Sequence, residues 1–169
     1  MGFIKTFLDM SGRYCKAIPE SAIILISRLA VATVFWRSVQ TKITGWEFLD
    51  QSWQFYNLSA STFMLFQYEY ALPVLPYRFA AYAGTFAEFF LPILLLLGLG
   101  TRFAALGLLV VTAIIQLLVF PEAWPTHILW FAPLLYLLKH GGGVISIDYL
   151  FDGKNLKITR LQASPQNLL

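Results

Sequence analysis

Seven side chains in an otherwise apolar sequence could carry chemistry: Arg28, Arg37, Lys42, Glu69, Glu88, Glu122 and His127. Glu88 is the most demanding of them. It lies near the middle of Ala80–Gly100, AAYAGTFAEFFLPILLLLGLG, a run long enough to cross a bilayer. A carboxylate at that depth costs at least ~2.5 kcal/mol on insertion scales, so it requires a partner or a wet cavity. Arg28 and Arg37 interrupt a second apolar run, Glu20–Ile43. At about 1.5 Å per residue they lie roughly 12 and 25 Å from its start, and Glu88 lies roughly 18 Å from the same side. Side chains tilt toward a helix N-terminus, so Arg37 and Glu88 on oppositely directed helices lean toward each other. Arg28 leans toward the nearer headgroups, where it can snorkel. The expected buried pair is therefore Arg37–Glu88. One reading gives it only a register-fixing role. The other makes it part of a polar site opening outward, joined by Lys42, Glu69, Glu122 and His127. His127 could carry a proton or ligate a metal, although Trp124 and Trp130 beside it equally fit an interfacial histidine. His140 falls on the opposite side of the membrane, so the two histidines cannot share an ion, and no metal site is assigned.

The elements that must hold these residues are membrane helices. Of 169 residues 58% are hydrophobic and 12% charged, against about 25% charged in a soluble domain. The expectation is one all-α domain over residues 1–169, a polytopic four-helix bundle with spans at about 20–43, 80–100, 103–120 and 124–139 and a polar tail at 144–169. The third span is broken only by Gln116, and Pro92 should bend the second. Residues 1–19 lack the apolar core of a signal peptide. Phe3, Ile4, Phe7, Leu8 and Tyr14 recur at helical spacing, which predicts a short amphipathic helix on the membrane surface. Residues 45–78 are too polar to span, and their many aromatic rings predict an outer loop at headgroup level.

The net charge of +3 is small and its basic residues are scattered, so nucleic acid is not an expected partner. A single cysteine, Cys15, excludes an internal disulfide framework. Lys5, Arg13, Lys16, Arg102, Lys139, Lys154, Lys157 and Arg160 fall on one side of this arrangement, and only Lys42 and Arg78 on the other. The richer side belongs in the cytoplasm, together with both termini.

From about Ser27 to Leu150 the residues resemble the DoxX family of small bacterial membrane proteins. The matching pieces, in order, are Ser27-Arg28-Leu29, Phe35-Trp36-Arg37-Ser38 with Lys42, Glu69-Tyr70-Ala71-Leu72-Pro73 and Ala87-Glu88 with Leu91-Pro92. They continue with Gly98 to Arg102, Pro121-Glu122-Ala123-Trp124 with His127 and Trp130, and Ile145-Ser146-Ile147-Asp148. The resemblance implies a four-span protein of the bacterial inner membrane. Some such proteins are subunits of thiosulfate:quinone oxidoreductase, and others accompany redox-defence, sulfur-handling or copper-peptide systems.

The leading expectation is an accessory or anchoring subunit of a redox, sulfur or metal-stress system, held in the lipid bilayer with a protein partner or a second copy of itself. The alternatives are a quinone-binding oxidoreductase subunit, in which Arg37, Glu88 and His127 would serve a quinone head, and a small-solute or metal permease. Quinone is the one cofactor that these readings name. The topology is directly testable. A cysteine introduced at Asn57 should react with an impermeant reagent in intact cells and one at Asn155 should not; the reverse pattern would invert the orientation.

Overall fold

The computed structural model describes residues 17–152. Helix α1 spans Glu20–Gln40. A two-stranded hairpin follows, β1 at Glu47–Phe48 and β2 at Gln51–Ser52. Short helix α2, Ala60–Met64, continues as a π-helical turn over Leu65–Tyr70. Helix α3 covers Tyr77–Leu97. Helix α4, Thr101–Ile114, runs into a second π-helical turn, Ile115–Val119, and then a 3-10 turn at Pro121–Ala123. Helix α5 covers Trp124–His140, and residues 147–152 are again helical. The amphipathic helix expected within residues 1–19, Cys15 included, and the tail beyond residue 152 lie outside the described residues.

This is an all-α membrane protein. Among the described residues three helical stretches are long and apolar enough to cross a bilayer: Glu20–Gln40, Tyr77–Leu97 and Thr101–Val119. The stretch expected as a fourth span is helical as α5, but at 17 residues, about 25 Å, it is shorter than these three. Helix α1 packs on α3 and α5, and α4 packs on the same two helices. Val31, Ala32 and Phe35 of α1 meet Leu95, Ala104, Ala105, Leu108, Leu134 and Leu137 in the core. The alanines let neighbouring backbones approach closely, which is how helices associate where lipid removes the hydrophobic drive. Large apolar side chains such as Ile26, Phe79, Phe103, Leu117 and Leu129 point outward, as a lipid-facing surface requires. At one end, His140 Nδ1 lies 2.6 Å from Glu20 Oε1, so the start of α1 and the finish of α5 share a side.

The observed boundaries have local causes. Helix α3 runs about three residues ahead of the expected span because Gly98 closes it in the left-handed region, φ 67°. A side chain at Gly98 would also strike Arg28, whose Nη2 lies 2.7 Å from where its Cβ would stand. Within α3, Pro92 has no N–H for the carbonyl of Glu88, so the ordinary helical bond to that oxygen cannot form. The aromatic stretch 45–78 folds as hairpin and short helices rather than open loop. Gln40 binds Ser52 in both directions, at 2.8 and 3.2 Å, and Trp36 Nε1 donates to Gln51 Oε1 at 2.8 Å, which ties the hairpin to α1.

Arg28 does not snorkel. Only 2% exposed, it donates to four carbonyls: Leu95 at 2.6 Å, Leu96 at 2.6 Å, Gly142 at 3.0 Å and Ile145 at 2.5 Å. These carbonyls belong to the α3 C-terminus, where that of Leu95 also accepts from Gly98 N at 3.1 Å, and to the turn after α5, so one guanidinium binds two chain endings at once. Next to it Asp148 accepts from the N–H groups of Gly100 at 2.7 Å and Thr101 at 2.9 Å, capping α4 from a remote segment. Partial burial pushes the Asp148 carboxyl up, but the hydrogen bonds from Thr101 and Gly100, with Arg28 nearby, outweigh that and hold it below its ordinary value. Its contribution to stability is therefore present above the ordinary carboxylate pKa of about 3.9 and lost as pH falls through the depressed value. Asp148→Asn should lower stability in detergent at neutral pH by about 0.3–1 kcal/mol, the worth of a negative charge at a helix N-terminus, and the gap from the parent should close in acid. An unchanged gap across the pH range would mean that the charge contributes nothing.

Candidate functional site

The partner of Glu88 is Lys42, not Arg37. Lys42 Nζ donates to Glu88 Oε2, and the two side chains are 4% and 5% exposed. The same ammonium donates to Ser38 Oγ at 3.0 Å, one helical turn back. The backbone of Lys42 is pinned from the segment that follows the hairpin: its carbonyl accepts from Ser59 N at 3.0 Å and Thr62 Oγ1 at 2.8 Å, and Ile43 bridges Leu58. Helix α1 ends at Gln40, and Lys42 lies buried beneath this cover. Arg37 is exposed, on the face of α1 away from the buried stripe Arg28, Val31, Ala32, Phe35 and Val39. The geometric reason is simple: Arg37 is two residues from Phe35, about 200° around the helix.

The rest of the expected cluster is dispersed. Glu69 is exposed beside a shallow depression lined by Thr41, Thr62 and Tyr68. Glu122 is exposed in the 3-10 turn. His127 is buried, but between α4 and α5, where Nδ1 meets Gln116 Oε1 at 2.8 Å. Among the described residues no three His, Cys, Asp or Glu side chains gather in a metal-binding group.

Glu88 also borders a cavity of about 180 Å³. Its walls are almost wholly apolar: Phe66, Leu72, Leu75, Ala80, Ala83, Val111, Ile114, Ile115 and Val119, with Gly84 leaving room on the α3 side. Tyr70 and Glu88 supply the polar atoms. Burial pushes the Tyr70 phenol up to about 12, and the charges of Glu88 and Glu69 add to the effect, so the hydroxyl remains a donor. Both π-helical turns contribute walls, Phe66 and Tyr70 from the first and Ile115 and Val119 from the second. Such turns widen a helix locally and recur at functional sites. Leu75, Ala83 and Ile114 are exposed at the margin, so the chamber communicates with the bundle's flank. Thr85, one turn before Glu88, is fully buried with an unpartnered hydroxyl. Sequence reasoning misses Tyr70, Ser38 and the π turns. The one available signal is the i, i+4 spacing of Ser38 and Lys42, which puts both on one helix face.

Fold and site define a small polytopic membrane protein with a neutralised ion pair beside a ring-sized apolar chamber. The chain belongs to the DoxX family, whose family model matches residues 23–121, more than half of it. No curated protein and no solved structure matches the chain.

The pairing can be measured one residue at a time. Lys42→Met should cost about 3–5 kcal/mol of stability by leaving Glu88 buried without its partner. Arg37→Met, at an exposed position, should stay within about 0.5 kcal/mol of the parent. Thermal unfolding in detergent would rank them, and equal losses would refute the assignment.

Proposed function

We propose that this chain is an accessory membrane subunit of a redox system, seated in the bacterial inner membrane with both ends cytoplasmic, and that its chamber receives the ring of a quinone. The observation that carries the reading is the Glu88 chamber. An apolar cavity of about 150 Å³ is enough for one benzene-sized ring, and this one has comparable room. Tyr70 offers a hydroxyl donor suited to a quinone carbonyl. The Lys42–Glu88 pair is a neutral unit that could pass a proton to the ring while electrons come from a protein partner. The Glu88 carboxylate is held in place by Lys42, while Pro92 leaves its backbone carbonyl without the ordinary helical bond. A partner subunit is required by this reading, because the chain presents no electron carrier of its own among the described residues. Sulfur compounds and copper-stress systems are the settings that the family resemblance implies for such a partner.

A second reading, an anchor that binds no small molecule, is supported by the same pair if it serves only packing. Quinone content separates the two. Protein purified in mild detergent should carry extractable quinone, and Tyr70→Phe and Glu88→Gln should each reduce the amount severalfold while the protein remains folded. If parent and variants all lack quinone although the partner protein still co-purifies, the anchor reading stands and the quinone reading falls.

A further inference from the structure

A second groove lies on another flank, between α4 and α5, and holds about 310 Å³. Thr112, Gln116, Trp124, His127 and Phe131 are among its walls. Its chemistry follows from one hydrogen-bond chain. Gln116 Nε2 donates to the carbonyl of Pro121 at 2.7 Å. A carbonyl can only accept, so the amide orientation of Gln116 is determined and its Oε1 faces His127. That oxygen is also only an acceptor, so the Nδ1–H of His127 is the donor across the 2.8 Å contact. In the neutral imidazole the proton on Nδ1 leaves Nε2 with a bare lone pair. His127 is 6% exposed, and its Nε2 takes no partner among the described residues.

This acceptor gains a partner only when a donor enters the groove. Water alone fits poorly, because the surrounding walls are aromatic and aliphatic. Leu117, Trp124 and Ile128 are exposed along the rim, so entry is from the lipid side. The occupant must therefore be lipid-soluble, flat enough to lie between Trp124 and Phe131, and furnished with a hydroxyl donor.

We propose that the groove between α4 and α5 is a binding site for a membrane-soluble phenol, with His127 Nε2 accepting the phenolic hydroxyl and Trp124 and Phe131 enclosing the ring. The site is separate from the Glu88 chamber and does not depend on the function proposed for it. Gln116 is its positioning residue, since it selects the tautomer of His127.

Histidine-selective nitrogen NMR on the purified protein in lipid nanodiscs tests this directly. The chain has two histidines, so a His140→Gln variant assigns the His127 resonances. Titration with para-bromophenol should shift the His127 Nε2 signal saturably, as a lone pair does on accepting a hydrogen bond. Para-bromoanisole, the methyl ether of the same ring, should leave it in place. His127→Phe should weaken phenol binding about fivefold, the net worth of one hydrogen bond, measured by bromine quenching of tryptophan fluorescence. No shift with the phenol, or equal shifts with phenol and ether, would overturn the proposal, and the ligand comparison requires no variant beyond the assignment control.

Discussion

The ammonium of Lys42 and the carboxylate of Glu88 cancel each other inside the bundle, and the half of the molecule that carries the hairpin is arranged to let them do so. Lipid offers no water to a polar group, so each must find its partner within the chain. Lys42 reaches Glu88 only because the chain leaves helix geometry after Gln40 and because Ser59 and Thr62 hold the Lys42 carbonyl. The hairpin and short helix over residues 47–64 thus form more than a lid: they carry the bonds that aim one side chain. Around the pair, Trp36, Trp53, Phe55 and Phe89 pack edge to face or tilted, which shuts out water on the hairpin side.

The opposite end solves the same problem by another chemistry. Among the described residues no carboxylate binds Arg28; it is satisfied by four carbonyl oxygens, with Asp148 close enough to balance charge. A guanidinium has enough donors in a fixed fork to close two chain endings at once, which the three donors of a lysine on a flexible stem would do less well. The two ends therefore differ in what they can do. The Arg28 end is saturated and locks α1, α3 and the turn after α5. The Lys42 end leaves Glu88 facing a chamber, so a ligand there would meet a group already held in place.

Much of the fold is legible in the sequence, because apolar runs of bilayer length admit few other structures. The helices and their order follow from the apolar pattern. The ion pair is misread for a specific reason. Depth along a straight helix places Glu88 between Arg28 and Arg37, and the lean of the side chains toward the helix N-termini then selects Arg37. Angular position around the helix points elsewhere. Arg28 and Lys42 are fourteen residues apart, close to four turns at 3.6 residues per turn, and share a face that Arg37 does not. The π-helical turns at Leu65–Tyr70 and Ile115–Val119 leave no composition mark, so the chamber they widen is invisible without coordinates. Gln116 is visible as the lone amide in its span, but its bond to Pro121, which decides what His127 can accept, depends on the turn that follows.

The central claim is that Lys42 and Glu88 form one neutral unit on which the hairpin half of the fold depends. Reciprocal exchange tests it most directly. Lys42→Glu alone and Glu88→Lys alone each place two like charges together in a buried site, and both should unfold well below the parent. The double variant, Lys42→Glu with Glu88→Lys, restores an opposite pair and should recover most of the lost thermal stability in detergent, whereas Arg37→Glu combined with Glu88→Lys should recover none. Recovery in the Arg37 combination, or no recovery in the Lys42 combination beyond the sum of the single effects, would contradict the account.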